Sequence, residues 1–501
     1  MAHIESLVTE TDTASDSRIA IIDIGSNSVR MVVFERLARA PRLVFDEKVS
    51  CSLGQGLAQF GRLHPEGRTR ALHTIRRFSS LIGAMRATLL GAVATAAVRD
   101  ASDGEEFVKV ILAETGIAVQ ILSGAEEARI AGLGVQSAFP RGNGVMGDLG
   151  GGSLELVRLS DRSQTELATL PLGPLRFQGS DLDSKSITGE IDAALHDTEW
   201  LQTVRGETLY AVGGAWRALA RIHMAQNEYP LKMIHGYRVP RFEMINFAAM
   251  IAGLSSRSIA EIPGVPKKRV ASMPGAARVL ERLMRMAEPE DVVFCAYGLR
   301  EGLVFDALPM EWRDGDPFLA AARDSAEREG RYSINADEIT KWAQPLFDDE
   351  HAEHARLRYA ACLLSNISWR GHPDYKAEMG MVRILHAPFV GIDHPGRAFV
   401  SLAVGSRYGG STGSSIANDA QKLMSEDAAE EARAFGYAIN LAHTLSGGMP
   451  NVISETKLRE RDGAIELILP KRHATLVGEA VEASLKDLGK SLGKMTSLLI
   501  E

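Results

Sequence analysis

Residues 143–157 read NGVMGDLGGGSLELV: an apolar run, an aspartate, three consecutive glycines, a serine and, two positions on, a glutamate. Residues 19–33 read IAIIDIGSNSVRMVV. With Asp23 aligned on Asp148, Gly25 falls on Gly150, Ser28 on Ser153 and Arg30 on Glu155. A chain carrying this pattern twice must build the same buried strand, tight turn and second strand in two places. Turns without Cβ atoms leave backbone N–H groups open to an anionic oxygen. Two of them facing across a cleft would hold a phosphate from both sides.

Around the turns, hydrophobic periodicity predicts an element order. RIAIIDIG, SVRMVVFERL and RLVFDEKVSCSL read as three strands, followed by a helix over HPEGRTRALHTIRRFSSLIGAM with Pro65 in its first turn. LLGAVATAAV and IAVQIL read as strands, each followed by a helix, DGEEFVKVILAETG and GAEEARIAGLGVQSAF. The order then starts again: strands GVMGDLG, SLELVRLS and TELATLPLG, then TLYAVGG with helix AWRALARIHM, then DVVFCAYG with helix LREGLVFDAL. Breaker residues at 306–317 mark a boundary. Helical stretches follow, with a hairpin turning at Asp462-Gly463 and a final helix over VEASLKDLGKSLGKM.

The polar residues at these junctions have chemical uses. Asp23 and Asp148 end strands where a hard cation such as Mg2+ would find carboxylate ligands, with Mn2+ as an alternative. Ser153 and Glu155 are two apart on a strand, so Glu155 shares a face with whatever the turn holds. Small residues precede Arg99 in ATAAVRDAS, and Gly213 and Gly214 precede Arg217 in AVGGAWRALA; both are strand-to-helix junctions that leave helix N-termini open to anions. Arg99 adds a fork matched to phosphoryl oxygens, while Arg217 is expected in a surface ion pair. Glu126 and Glu127 stand in a first helical turn, where a carboxylate could deprotonate a water for attack on phosphorus.

The segments IIDIGSNSVRMVV, VATAAVRDASDG, ILSGAEEARIAGLGV, GDLGGGSLELV, TLPLGPLRF, AVGGAWRALA and YGLREGLV occur in this order over roughly residues 18–306. In them the chain resembles the exopolyphosphatase/guanosine pentaphosphate phosphatase (Ppx/GppA) family of the actin, sugar-kinase and chaperone ATPase superfamily. The resemblance implies an α/β fold with two RNase H-like (actin-like ATPase) domains and an interdomain cleft, followed by a mainly helical HD-like C-terminal region. The expected boundaries are a tail at 1–17, domains at 18–137 and 138–306, and a helical domain with a small β element at 317–501. The resemblance makes Glu127 the catalytic glutamate with Arg99 beside it, and Asp148 and Glu155 the other acidic site positions. It makes Gly25, Ser26, Asn27 and Ser28, and Gly150, Gly151, Gly152 and Ser153, the phosphate-binding loops. The implied activity is release of terminal phosphate from inorganic polyphosphate, with guanosine pentaphosphate as the alternative substrate. A non-enzymatic sensor of polyphosphate or nucleotide is a further alternative, against which the intact Glu127, Asp148 and Glu155 speak, and a sugar or acetate kinase would need an acceptor domain. Mg2+ and a monovalent cation are the expected cofactors, and a homodimer the expected assembly.

In the C-terminal region Ser365 and Asn366 stand where an HD domain has its His-Asp pair, so no metal chemistry is expected there. His351, His354, His372 and Asp374 fit no ligand spacing and are expected as solvated or capping groups. The region is expected to serve as a lid, a dimerisation surface or a polyanion guide, the last drawing on Lys267, Lys268, Arg269, Arg370, Arg397, Arg407, Lys471 and Arg472. A net charge of −8 argues against a general nucleic-acid binder. With only three dispersed cysteines, no signal peptide and no membrane-length apolar run, the expectation is a cytoplasmic protein.

Overall fold

Each glycine turn lies between two antiparallel strands, and each strand pair opens a sheet of the same design. The computed structural model describes residues 17–501 apart from 178–183, 264, 266, 330–335, 348–351 and 410–412. His351 and nearly all of the expected tail lie outside the described residues. The described residues divide into two units, 1–317 and 318–501.

In the first unit, β1 (Ile19–Ile24), β2 (Ser28–Phe34) and β3 (Leu43–Ser50) form a meander, and β4 (Thr88–Ala94) and β5 (Gln120–Ile121) extend it. The sheet order is β3-β2-β1-β4-β5, with β1 antiparallel to β2 and parallel to β4. A second sheet repeats this with β6 (Gly144–Leu149), β7 (Leu154–Ser160), β8 (Ser163–Leu170), β9 (Thr208–Val212) and β11 (Asp291–Phe294), in the order β8-β7-β6-β9-β11. One more strand, β10 (Tyr237–Pro240), pairs antiparallel with β11 at the edge. The two sheets are the expected pair of RNase H-like folds. Apolar runs such as Ile19–Ile24 are buried because helices cover the sheets, as a parallel sheet requires. Each half has its own core, one around Ile22, Val29, Ile75 and Phe78 and the other around Leu156, Trp216, Leu280 and Phe294.

The helix Gly124–Ala138 and the helix Leu299–Asp306 meet backbone to backbone. A Cβ on Gly302 would lie 1.8 Å from the Ile130 carbonyl oxygen, and one on Gly134 would lie 2.1 Å from that of Gly298. Glycine at these positions allows a helix crossing that no other residue permits. Helices at Ser184–His196, Arg241–Gly253 and Met273–Ala287 were not anticipated from the sequence.

In the second unit, helices including His394–Arg407 and Glu426–Ser446 form an α-helical body beside a small sheet, β12 (Lys457–Arg461), β13 (Ala464–Leu469) and β14 (Met495–Ile500). The hairpin at Asp462-Gly463 is as expected. The final helix is shorter than expected: it runs over Glu479–Ser491, Gly493 turns the chain at φ 65°, and Met495 opens β14, parallel to β13. Arg397 and Arg407 are buried rather than free to guide a polyanion. Arg397 donates to the carbonyls of Ile384, Ala387 and Phe389, closing a helix C-terminus. Ser365 meets His443 Nε2 at 3.2 Å, His372 caps a short turn by accepting from Asp374 N–H, and His354 pairs with Glu431 instead of facing solvent alone.

Candidate active site

The turn Gly25–Ser28 closes with Gly25 N–H donating to Ser28 O at 3.0 Å, and Gly150 N–H donates to Ser153 O at the same distance. None of Gly25, Gly150, Gly151 and Gly152 has a positive φ, so none is required for left-handed backbone, and only at Gly151 would a Cβ crowd a neighbour. A Cβ on Gly151 would stand 3.4 Å from Ser26 Cβ of the other turn and 2.8 Å from Leu175. The two turns therefore face each other at contact distance. A loop through Gly173 presses on the back of the second turn, where Leu175 N–H donates to Gly151 O at 3.0 Å. The first turn is braced by Cys51 and Ser52 N–H donating to Asn27 O and by Gly54 N–H donating to Ser26 O. Between the turns lies a cleft of about 640 Å³, lined also by Gly213, Gly214 and Glu127.

Strand register places the charged groups. Asp148 stands directly opposite Glu155, and Glu155 opposite Thr169, so the three share one face in a row across the second sheet. The helix carrying Glu127 starts against that row, since a Cβ on Gly124 would lie 2.6 Å from Thr169 Oγ1. Ser123 and Glu126 form the capping box of this helix, which leaves Glu127 for the cleft. Arg99 donates to Glu127 Oε2 at 2.8 Å and to the Leu122 carbonyl at 3.2 Å. Arg99 is thus tied to the glutamate and does not line the cleft itself.

Burial is the main force on the ionisation of these carboxyls. It pushes Glu127 up to about 7, with Asp148 and Asp23 adding to the shift and Arg99 opposing it. Asp148 rises to about 6 by burial, against the pull of Arg217 and Arg300. Glu155, 1% exposed, is raised well above the ordinary range by burial and then by Glu127 and Asp148. Its Oε1 is buried without a hydrogen-bond partner. Hard oxygens crowded in this way fit a divalent cation such as Mg2+, which relieves both the desolvation and the mutual repulsion. Among the described residues no three His, Cys, Asp or Glu side chains gather as a closed metal cage. Further ligands would have to be water and phosphate oxygens, the usual arrangement for Mg2+ on a phosphate substrate.

Asp23 is held differently from Asp148. Arg300 Nη1 donates to its Oδ2 at 2.8 Å, so Asp23 enters the cleft as half of an ion pair. Arg217 is no surface residue: it is half-buried, lines the cleft and donates to the Ala296 carbonyl at 2.9 Å. Lys48 and Arg300 also line the cleft, as does Arg269 beside the N-terminus of the helix Gly214–Gln226. Sequence reasoning named neither Lys48 nor Arg300 as a site residue. The periodicity of β3, which places Lys48 two residues beyond Asp46 on the same face, was the available signal for Lys48.

Known proteins bear on this arrangement. The Ppx/GppA phosphatase family profile matches residues 13–311, and the profile described as exopolyphosphatase, C-terminal, matches residues 318–499. The chain is 27% identical over 330 residues to exopolyphosphatase 1 of Mycobacterium leprae, covering 62% of this chain and 96% of that protein. It is 26% identical over 466 residues to retrograde regulation protein 2 of Saccharomyces cerevisiae, covering 83% and 76%. In fold it is similar to the crystal structure of an exopolyphosphatase from Cytophaga hutchinsonii, with TM-score 0.54 at 21% identity over 58% of this chain and 99% of that one. The facing glycine turns and the carboxylates behind them thus lie wholly within the span of one family profile, and the chain belongs to the Ppx/GppA phosphatase family.

Proposed function

We propose that the chain is an exopolyphosphatase, hydrolysing the terminal phosphoanhydride of inorganic polyphosphate with Mg2+. The observation that carries this reading is the row Asp148–Glu155 running into Glu127, opposite two glycine turns that face each other. The kinship with proteins named exopolyphosphatase supports the substrate.

Asp148 and Glu155 would hold the cation, which when bound offsets charge on the scissile phosphoryl group. Backbone N–H groups of the turns and the Arg217 guanidinium would hold the phosphoryl oxygens in line. Glu127, poised near neutrality, would take a proton from water as the new P–O bond forms. The bridging P–O bond breaks with its electron pair left on the shortened chain, and orthophosphate is released. Arg99 holds Glu127 in place and favours its ionised form, so it would position the base.

The test is phosphate release from long-chain polyphosphate. Glu127→Gln should lower kcat by about 10²- to 10⁴-fold with little change in KM. Retained hydrolysis would remove Glu127 from the mechanism. A higher kcat/KM for guanosine pentaphosphate than for polyphosphate would overturn the substrate assignment.

A further inference from the structure

The equivalent rows of the two sheets have opposite character. In the second sheet the row is Asp148, Glu155, Thr169; in the first it is Asp23, Arg30, Lys48. Two members of the first row are satisfied internally. Arg30 makes a two-point ion pair with Asp46, Nε to Oδ1 at 2.6 Å and Nη2 to Oδ2 at 2.5 Å, and Asp23 is bound by Arg300. Lys48 is left over, and across the cleft so is Arg269. Among the described residues no carboxylate lies within salt-bridge distance of either, yet both line the cleft. The charges acting on Lys48 are mostly cationic, Arg269, Arg30 and Arg300, and Asp23 opposes them from beyond ion-pair distance. The cleft lining therefore holds two carboxylates, Asp148 and Glu155, and two cations, Lys48 and Arg269, that have no ion-pair partner among the described residues.

We infer that Lys48 and Arg269 form a subsite for the phosphoryl groups behind the scissile one, so that Lys48 sets the preference for a run of phosphates over an isolated phosphoanhydride. The inference rests on the reading of the cleft as a polyphosphate site. Two cations beside other cations, with no carboxylate at ion-pair distance among the described residues, are stabilised when an anion arrives, and a linear polyanion anchored at Asp148 and Glu155 would bring negative charge to them. An ammonium suits this task because, as a point charge, it tolerates a chain that advances by one unit after every turnover. Pyrophosphate, with nothing behind its second phosphoryl group, cannot occupy the subsite fully. The shared chemistry is a run of phosphoryl groups, which an inorganic chain and a nucleoside 5'-triphosphate moiety both offer.

The experiment compares Lys48→Met, Lys48→Arg and the wild type in full-length protein on long-chain polyphosphate, guanosine pentaphosphate and pyrophosphate, with thermal melts as a folding control. The ratio of kcat/KM for the long chain over pyrophosphate should fall about tenfold or more in Lys48→Met, through KM, and recover in Lys48→Arg. The dependence of log(kcat/KM) on log salt should also flatten for the long chain. An equal proportional loss on long chain and pyrophosphate, or an unchanged long-chain KM, would overturn the subsite while leaving the exopolyphosphatase reading intact. A larger loss on guanosine pentaphosphate than on the long chain would overturn its assignment to an inorganic chain. Wild-type protein that releases no phosphate from polyphosphate would overturn both.

Discussion

Glu127 is the residue whose environment gives the clearest solution signature. Burial and the neighbouring Asp148 and Asp23 carry its carboxyl to about 7, and a base works only when deprotonated. kcat/KM should therefore rise with pH, by about tenfold per unit on the acid side, and level off above about 7. The same variable predicts a descending limb: although Lys48 is exposed in the cleft, partial desolvation and then Arg269, Arg30 and Arg300 lower it to about 8 against the pull of Asp23, and loss of its proton should weaken substrate binding above that value. A rate profile that stays flat below about 7 would contradict the role of Glu127, and one that stays flat above about 8 would contradict the role of Lys48. Glu155 adds a prediction about stability. Its folded-state pKa lies above its unfolded one, so the native state holds the proton more tightly, and stability falls as pH rises from the unfolded value towards the folded one. Glu155→Gln should raise the Tm of metal-free protein by a few degrees at about pH 8 and leave it unchanged near about pH 4. Differential scanning calorimetry at the two pH values checks the sign.

At the scale of elements, the repeated turn was fully legible in the sequence, because a strand–turn–strand with matched aspartates dictates its own register. Asp148 opposite Glu155 follows directly from that hairpin. The reason for Gly151 was not legible: it makes room for Leu175 and Ser26, both brought in by tertiary packing. The place of Arg217 in the cleft was not legible for a similar reason. Its burial depends on the approach of residues near Ala296 and Arg300, far along the chain, and local pattern carries no information about them. The final helix ends before its periodicity predicts, because Gly493 turns the chain while the apolar spacing continues to Met495. Among elements, the contact between Gly124–Ala138 and Leu299–Asp306 is the most demanding, since it leaves no space for a single methyl group. Gly302→Ala should destabilise the fold by about 1–3 kcal/mol or more and reduce kcat, because it pushes away the helix that carries Glu127. Urea denaturation with parallel phosphate-release assays measures both; Gly83→Ala, where a Cβ meets nothing, is a suitable control.

At the scale of the whole molecule, all residues lining the cleft fall between Asp23 and Arg300, within the unit 1–317. Both glycine turns, Glu127 and the cationic wall belong to that unit. A fragment of residues 1–317 should then fold cooperatively and hydrolyse tripolyphosphate within about tenfold of the full chain. Circular-dichroism melts and phosphate release test this; a fragment that folds but is inert would assign part of the chemistry to residues 318–501. Among the described residues no helix is long and apolar enough to cross a membrane. The glycine contact between the two helices also limits how the cleft can change width. With Gly302 set against the Ile130 carbonyl and Gly134 against that of Gly298, sliding one helix along the other drives backbone into backbone. Any change in the width of the cleft would then have to turn about this contact, which lies one helical turn from Glu127.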